Sequence, residues 1–518
     1  MLLTMVAVSA LSQTKGERPT LVVGIMIDQL RSDYLDLLQS RFGQHGFNRL
    51  IQNGVYFDNV DYVIPDIDAV SATAIIYTGT YPSINGIPAS GYYNTQKKIS
   101  EKILADPSQI GNFTDETFSP RALAVSTISD ELRIDNNGIG YVYSISPDPQ
   151  QAIIQAGHAV NSAFWINDVT GKWSTTTYYK DVPAIMPVKN YQQPLSLRLD
   201  TMSWSPSLTT DNYFDIPTHR KYYPFKYFFP AADKDRYRNF KNSALVNQEV
   251  TTVAIDYLKS IGLGKRGPMD MLNIAYTLAP YSYNKDNDFR IELQDSYIKL
   301  DQQLSRLFEA IDKNVGLKNT LVFVASTGYF NDTRTPDPKF NIPTGEFYPK
   351  RAISLLNMYL MAIYGNGEWV SGYDRKQFFL NRNLIKEKNV DLREIRKKSR
   401  DFLKQVSGIS ESYTLDEILN NPVSEQALRF GRATSLTHAG DIRVEITPGW
   451  EIIESDVKSE THTHVKTNLV NTPVFILAPD IKPQKITSSI EAVFLAPTVS
   501  RILRIRSPNA AKLSPVAL

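Results

Sequence analysis

The chain has 518 residues, of which 42% are hydrophobic and 21% charged, an ordinary globular composition that excludes a disordered or fibrous chain. Lys and Arg number 56 against 54 Asp and Glu, so at +2 no global field favours nucleic acid or an anionic membrane. The absence of cysteine removes disulfides, thiolate metal sites and cysteine catalysis.

Leu2 to Leu11, LLTMVAVSAL, is an apolar run with the length of a signal-peptide core, too short to span a bilayer and without a preceding Lys or Arg. Residues 1–13 are therefore expected to be an export signal, with a buried first strand as the alternative. Residues 14–518 are read as one α/β domain with insertions at about 187–240 and about 330–440. No other stretch approaches ~20 uninterrupted apolar residues, so no transmembrane segment is expected.

Pro19 to Asp28, PTLVVGIMID, suits a central strand covered on both faces. Asp28 ends it, at the place where open α/β sheets bind their ligands; capping the next helix is its alternative role. Phe47 to Val55 reads as a helix stopped by Gly54. Tyr62 to Gly86, YVIPDIDAVSATAIIYTGTYPSING, reads as a loop from Pro65 into a helix of small apolar residues, broken at Thr78-Gly79 and followed by a turn at Pro82 to Gly86. Such a helix N-terminus presents free N–H groups and the positive end of the helix dipole, an arrangement suited to an anion. The side chain offered there is Asp68.

Ala122 to Leu132 is expected to be helical, and Gly140 to Ile145 a strand ended by Ser146-Pro147-Asp148-Pro149. Thr170 to Trp173 reads as a hairpin turn with Thr175 to Tyr179 on its return. His158 is read as structural, since no carboxylate or second histidine sits at ligand spacing. Pro187 to Arg238 is aromatic-rich and irregular, the composition of an insertion packed on a core. Ser243 to Ile261 is helical, Met271 to Thr277 a buried strand, Leu293 to Ile311 a long amphipathic helix, and Leu321 to Ala325 a strand that stops at Ser326-Thr327-Gly328. Asp332 to Pro349 reads as loop and Ala352 to Asn420 as mainly helical, with Arg393, Arg396, Lys397, Lys398 and Arg400 on a solvated face. Asp441 to Thr447 and Pro473 to Leu477 are strands, and Ala496-Pro497-Thr498 opens a final helix. Strand and helix alternate from end to end, which predicts a doubly wound, mostly parallel α/β sheet with helices on both faces.

VVGIMIDQLRSDYL, Tyr77-Thr78-Gly79 with Pro82 to Gly86, AGHAVNSAFWINDVTGKW, ELQDSYIKLD, the FVAS-T-G strand end, Gly440-Asp441-Ile442 with Pro448-Gly449-Trp450, and APTVSRIL come in an order that resembles the alkaline phosphatase superfamily. The branch resembled is the bacterial one close to type I phosphodiesterases and nucleotide pyrophosphatases, and the likeness covers nearly the whole chain. It implies an alkaline phosphatase-like fold with cap insertions. In active members two zinc ions sit between strand ends, one activating a Thr or Ser nucleophile and both stabilising the transferring phosphoryl group.

Carried over residue by residue, the resemblance places the first aspartate ligand on Asp28. The nucleophile falls on Asp68 when counted from Pro65 and on Ala69 when counted back from Tyr77. The Asp and His expected four apart fall on Pro280 and Asn284, the adjacent Asp-His pair on Ser326 and Thr327, and the last histidine on Asn471. The Lys and Arg of the phosphate clamp fall on Asp148 and Gln150. Asp28 is thus the sole remnant of six expected metal ligands.

His462 and His464 lie on one face if their segment is a strand and could bind metal with Asp456 or Glu460 near, although an exposed polar loop is the simpler reading. Ser71 and Thr73 are conceivable displaced nucleophiles without an evident base or metal, and Asp68 as a nucleophile would need its own magnesium site. The expectation is a fold retained and a chemistry lost: an exported, inactive relative of the cell envelope, periplasmic or on the cell surface, with no cofactor, a protein partner and no nucleic acid. The alternative is an active, zinc-dependent phosphomonoesterase or phosphodiesterase with a rebuilt site.

Overall fold

A computed structural model describes residues 18–222, 224–278, 289–328, 330, 344–420, 422, 424–455, 460–465 and 470–518. Its main sheet has ten strands: β1 (Leu21–Asp28), β2 (Val55–Phe57), β3 (Gly111–Asn112), β4 (Val142–Ser146), β5 (Ser162–Ile166), β6 (Trp173–Thr176), β7 (Asp270–Thr277), β8 (Thr320–Ser326), β9 (Val474–Leu477) and β10 (Gln484–Ile486). Their spatial order is β10-β2-β9-β8-β1-β7-β4-β5-β6-β3. The five middle strands, β8 to β5 in that order, run parallel. Beyond them β9 and β6 pair antiparallel to β8 and β5.

The uniform apolarity of β1 follows from burial on both sides. Leu21, Val23, Ile25 and Ile27 pack with Val246, Val250, Leu300 and Leu304 from helices Leu245–Ser260 and Arg290–Asn314. Val22 and Met26 point the other way, to Ile75, Ile76, Leu132 and Val499 from helices Ala69–Thr78, Ile128–Asp135 and Leu495–Leu503. Alternate residues thus feed two separate cores, as the two-residue period of a strand requires. Gly24 sits where helix Ala69–Thr78 comes closest: a Cβ there would lie 2.5 Å from the Tyr77 hydroxyl and 2.6 Å from the Phe323 ring.

Three expectations need correction. The helix expected over Ala122 to Leu132 begins at Ile128, because the Thr127 and Asp130 side chains form a reciprocal capping box there. Only a 3₁₀ turn, Pro120–Ala122, precedes it. Ala352 to Asn420 is not mainly helical. Helices Pro349–Tyr364, Arg382–Glu387, Leu392–Leu403 and Leu415–Asn420 accompany a four-stranded antiparallel sheet of Val370–Asp374, Gln377–Leu380, Ile442–Ile446 and Ile409–Thr414 in spatial order, and this lobe has its own core. Nor is the basic cluster wholly solvated: Arg396 is 6% exposed, with Nε 2.8 Å from Asp441 and Nη1 2.8 Å from Asp416.

The aromatic-rich segment folds around Trp204, Tyr213 and Phe225, with strand Ser203–Trp204 paired to Tyr227–Phe228. Among the described residues no helix is long and apolar enough to cross a membrane.

Candidate active site

Asp28 closes β1 with its register partner Thr277 on β7. Its Oδ1 accepts a hydrogen bond from the Thr327 hydroxyl at 2.7 Å, and Thr327 lies just past the end of β8. Burial pushes the Asp28 carboxyl up to about 7 against the pull of that hydrogen bond, and the like charges of Asp148 and Asp68 add to the push. The structure therefore brings Asp28, Asp68 and Asp148 into electrostatic contact at the carboxyl ends of the parallel strands, the place expected for Asp28 from sequence.

Asp68 is the N-cap of helix Ala69–Thr78. Its Oδ1 accepts from Val70 N at 3.1 Å, Ser71 N at 2.8 Å and the Ser71 hydroxyl at 2.9 Å, while Oδ2 accepts from Ser90 N at 2.6 Å. The N–H groups that this helix start would offer an external anion are thus turned on the chain's own carboxylate. Ala69 is the first helical residue and brings only a methyl group. Ser71 and Thr73 are both fully buried, and the Thr73 hydroxyl donates to Ala69 O at 2.6 Å. The helix ends where the sequence indicated, at Gly79 with φ 63°, whose N–H bonds Ile75 O.

Asp148 repeats this pattern as N-cap of helix Pro149–Ala156, accepting from Gln150 N at 2.9 Å and Gln151 N at 3.0 Å. Gln150 is 1% exposed, and its Oε1 has no hydrogen-bond partner among the described residues. Two helix starts therefore meet near Asp28, each already holding a carboxylate.

The remaining positions are also engaged within the fold. The Ser326 hydroxyl donates to Leu30 O at 2.6 Å, and Asn471 is exposed, its carbonyl accepting from Ser32 N at 3.0 Å. Pro280, Asn284 and Asp456 lie outside the described residues, as do residues 1–13; a proline side chain has no donor atom in any case. A zinc site takes about four N, O or S ligands. Among the described residues, one carboxylate already hydrogen-bonded to Thr327, two capping aspartates and two hydroxyls do not fit a pair of zinc ions. Among the described residues no group of three or more His, Cys, Asp or Glu is arranged to hold a metal ion.

His462 and His464 are on a strand rather than in a polar loop. Glu460–His464 pairs antiparallel with Glu451–Ser455, and both imidazoles turn to one carboxylate, His462 Nδ1 at 3.3 Å and His464 Nε2 at 3.1 Å from Glu451. His158 is structural as read: Nδ1 lies 3.1 Å from Asp130 Oδ2 and Nε2 2.9 Å from Leu123 O. Sequence reasoning missed Ser90, the backbone donor that closes on Asp68 from 22 positions away. No local pattern marks it.

Residues 22–468 match the family described as type I phosphodiesterase / nucleotide pyrophosphatase. The chain is 27% identical, over 97% of its length and 94% of the relative's, to a protein of Myroides odoratus named calcium-transporting ATPase. It is 26% identical to alkaline phosphatase PafA of Elizabethkingia meningoseptica, over 96% of this chain and 94% of that one. The crystal structure of wild-type PafA superposes with a TM-score of 0.83 at 25% identity, covering 96% of this chain and 98% of that one. Phosphonoacetate hydrolase from Sinorhizobium meliloti 1021 gives 0.51 at 11% identity, covering 94% and 95%, a likeness of fold alone. The chain belongs to the type I phosphodiesterase and nucleotide pyrophosphatase family, within the alkaline phosphatase superfamily.

Proposed function

We propose that this protein is an alkaline phosphatase-like pseudoenzyme of the cell envelope, acting by binding or as a subunit of an envelope complex. The observation that carries this reading is Asp68: four hydrogen bonds hold its carboxylate at the helix start where the family's nucleophile and phosphate would meet. A phosphate dianion brought there would face Asp68, Asp148 and Asp28 with neither the family's Lys and Arg clamp nor its zinc, a repulsion of several kcal/mol in a partly desolvated site. Export rests on the apolar run Leu2 to Leu11. Full-length protein purified without chelator should carry no stoichiometric zinc and turn over neither aryl phosphate monoesters nor diesters. Two bound zinc ions, or zinc-dependent turnover, would overturn the proposal.

A second reading, a hydrolase with a rebuilt site, draws on the Asp28–Thr327 pair, in which a carboxyl titrating at about 7 accepts from a hydroxyl. Thr327 is fully buried, which weighs against contact with a substrate. Phosphoesterase activity abolished by Thr327→Val would favour this reading.

A further inference from the structure

Helix Pro349–Tyr364 carries apolar residues on two opposite sides. Ala352, Leu356 and Leu360 are buried in the core of the four-stranded lobe, which accounts for one side. The other side is exposed, yet it presents Leu355 at 38% exposure, Met358 at 67% and Ala362, with Arg351 and Ser354 as its polar members. A helix on the surface of a lobe ordinarily keeps its outer face polar, and one that is apolar all round is covered on both sides.

The exposed positions define the shape of the cover. Arg351, Leu355, Met358 and Ala362 are spaced four, three and four residues apart, the seam by which one helix packs along another. A bilayer favours a wider apolar arc of bulky residues, whereas this seam is narrow and ends in Ala362.

The ends of the helix define its direction. Lys350 and Arg351 occupy the first turn, which has no acidic residue, so two exposed cations sit at the positive end of the helix dipole. Neither has an ion-pair partner among the described residues. The last turn has no basic residue, and Gly365 and Gly367 follow it. The final carbonyls form the negative end of the dipole beside a turn with little side chain. Each end therefore lacks what the other offers.

We infer that helix Pro349–Tyr364 docks antiparallel on the same helix of a second copy of this chain, about a two-fold axis. The layers of an antiparallel seam pair Leu355 with Met358 of the second copy and Arg351 with its Ala362, so the four positions complement themselves. Ala362 is small enough for the Arg351 stem to lie across it, which brings the guanidinium to the last-turn carbonyls as a cation at a helix C-terminus. The helix has 16 residues and is about 24 Å long, so the contact falls at the small end of specific interfaces, below about 1,200 Å², and the association is weak. None of Asp28, Asp68 and Asp148 takes part, so the pairing is independent of the chemistry at the strand ends.

Sedimentation velocity of the full-length protein between about 1 and 200 µM should show the mass rising from monomer towards dimer. Leu355→Glu and Met358→Lys should each leave it monomeric over that range, and Arg351→Glu should weaken pairing severalfold. Leu197→Ser, at an exposed leucine outside the lobe, should change nothing. Because the chain has no cysteine, an oxidised mixture of Leu355→Cys and Met358→Cys reports the register and should give more cross-linked dimer than either variant alone. A monomer at every concentration, a dimer unchanged by Leu355→Glu with its fold intact by circular dichroism, or a monomer that binds vesicles of anionic lipid through Met358 would each overturn the inference.

Discussion

Replacing Asp68 by alanine tests whether its carboxylate has become a structural part of the fold. The substitution removes the N-cap of helix Ala69–Thr78, worth about 1–2 kcal/mol, and strips Ser90 N of its acceptor, worth about 1–3 kcal/mol if the amide stays dry. Because relaxation and water recover part of this, the expected loss is about 2–4 kcal/mol in urea-induced unfolding. Asp68→Thr keeps an oxygen for Val70 N and Ser71 N but does not reach Ser90, so it should lose only about 1–2 kcal/mol. Asp68→Ala also frees the helix-start amides and should bind inorganic phosphate more tightly than the parent chain, despite being less stable. A loss below about 0.5 kcal/mol would refute the structural role, since that is the range of surface substitutions away from specific contacts. Turnover of an aryl phosphate by the parent chain that disappears in Asp68→Ala would instead identify a carboxylate nucleophile.

The other expectations concern parts of the fold that hold this site in place. Burial pulls the His158 pKa down, but the hydrogen bond and charge of Asp130 more than offset it, leaving the pKa above 6.5. That contribution is complete below the unfolded value and lost as pH rises through the folded one, so the stability gap between the parent and His158→Gln should widen from pH 8 to pH 6; an equal gap at both would exclude the ion pair. Gly24→Ala should cost at least about 2 kcal/mol in chemical denaturation, with part recovered by Tyr77→Phe because the Tyr77 hydroxyl is the nearest clash, and full stability would contradict the close packing. Arg396→Leu should cost about 1.5–3 kcal/mol by removing one of the two arginines paired with buried Asp441, Arg382 remaining, whereas a change within about 0.5 kcal/mol would restore the solvated-face reading.

The parts of the fold legible in sequence were those in which local chemistry and tertiary demand agree. β1 is a continuous apolar run because both of its faces are covered, and Gly79 ends its helix because the C-cap requires the left-handed conformation. The hairpin Val370 to Leu380 was not legible because its turn is Arg-Lys, which carries no turn signal; what holds that turn is Asp66 and Gly91, far away in the chain. The charge pattern around Arg396 looked solvated because Asp441, its buried partner, is 45 residues distant. At the site, the resemblance pointed to Asp28, Asp68 and Asp148, which the structure brings near one another at the strand ends. Sequence spacing could not indicate that Asp68 receives Ser90 N, since that contact depends on how the chain after Gly86 folds back over the helix start.

The strand-end site is a set of groups that mostly satisfy one another. Asp68 and Asp148 take up helix-start amides, Ser326 takes up a carbonyl beside β1, and Thr327 donates to Asp28. In a metal-loaded relative such positions must stay available to ions or substrate, which leaves polar groups in need of a partner whenever the ligand departs. Here most of those partners lie within the chain, so the helix starts and strand ends do not depend on a ligand for their satisfaction. Asp28 is the exception: its carboxyl remains half-buried beside two like charges, with the Thr327 hydroxyl and the Gln29 backbone N–H too weak to offset burial. That imbalance is why its pKa sits near neutrality, where protonation of Asp28 relieves the repulsion.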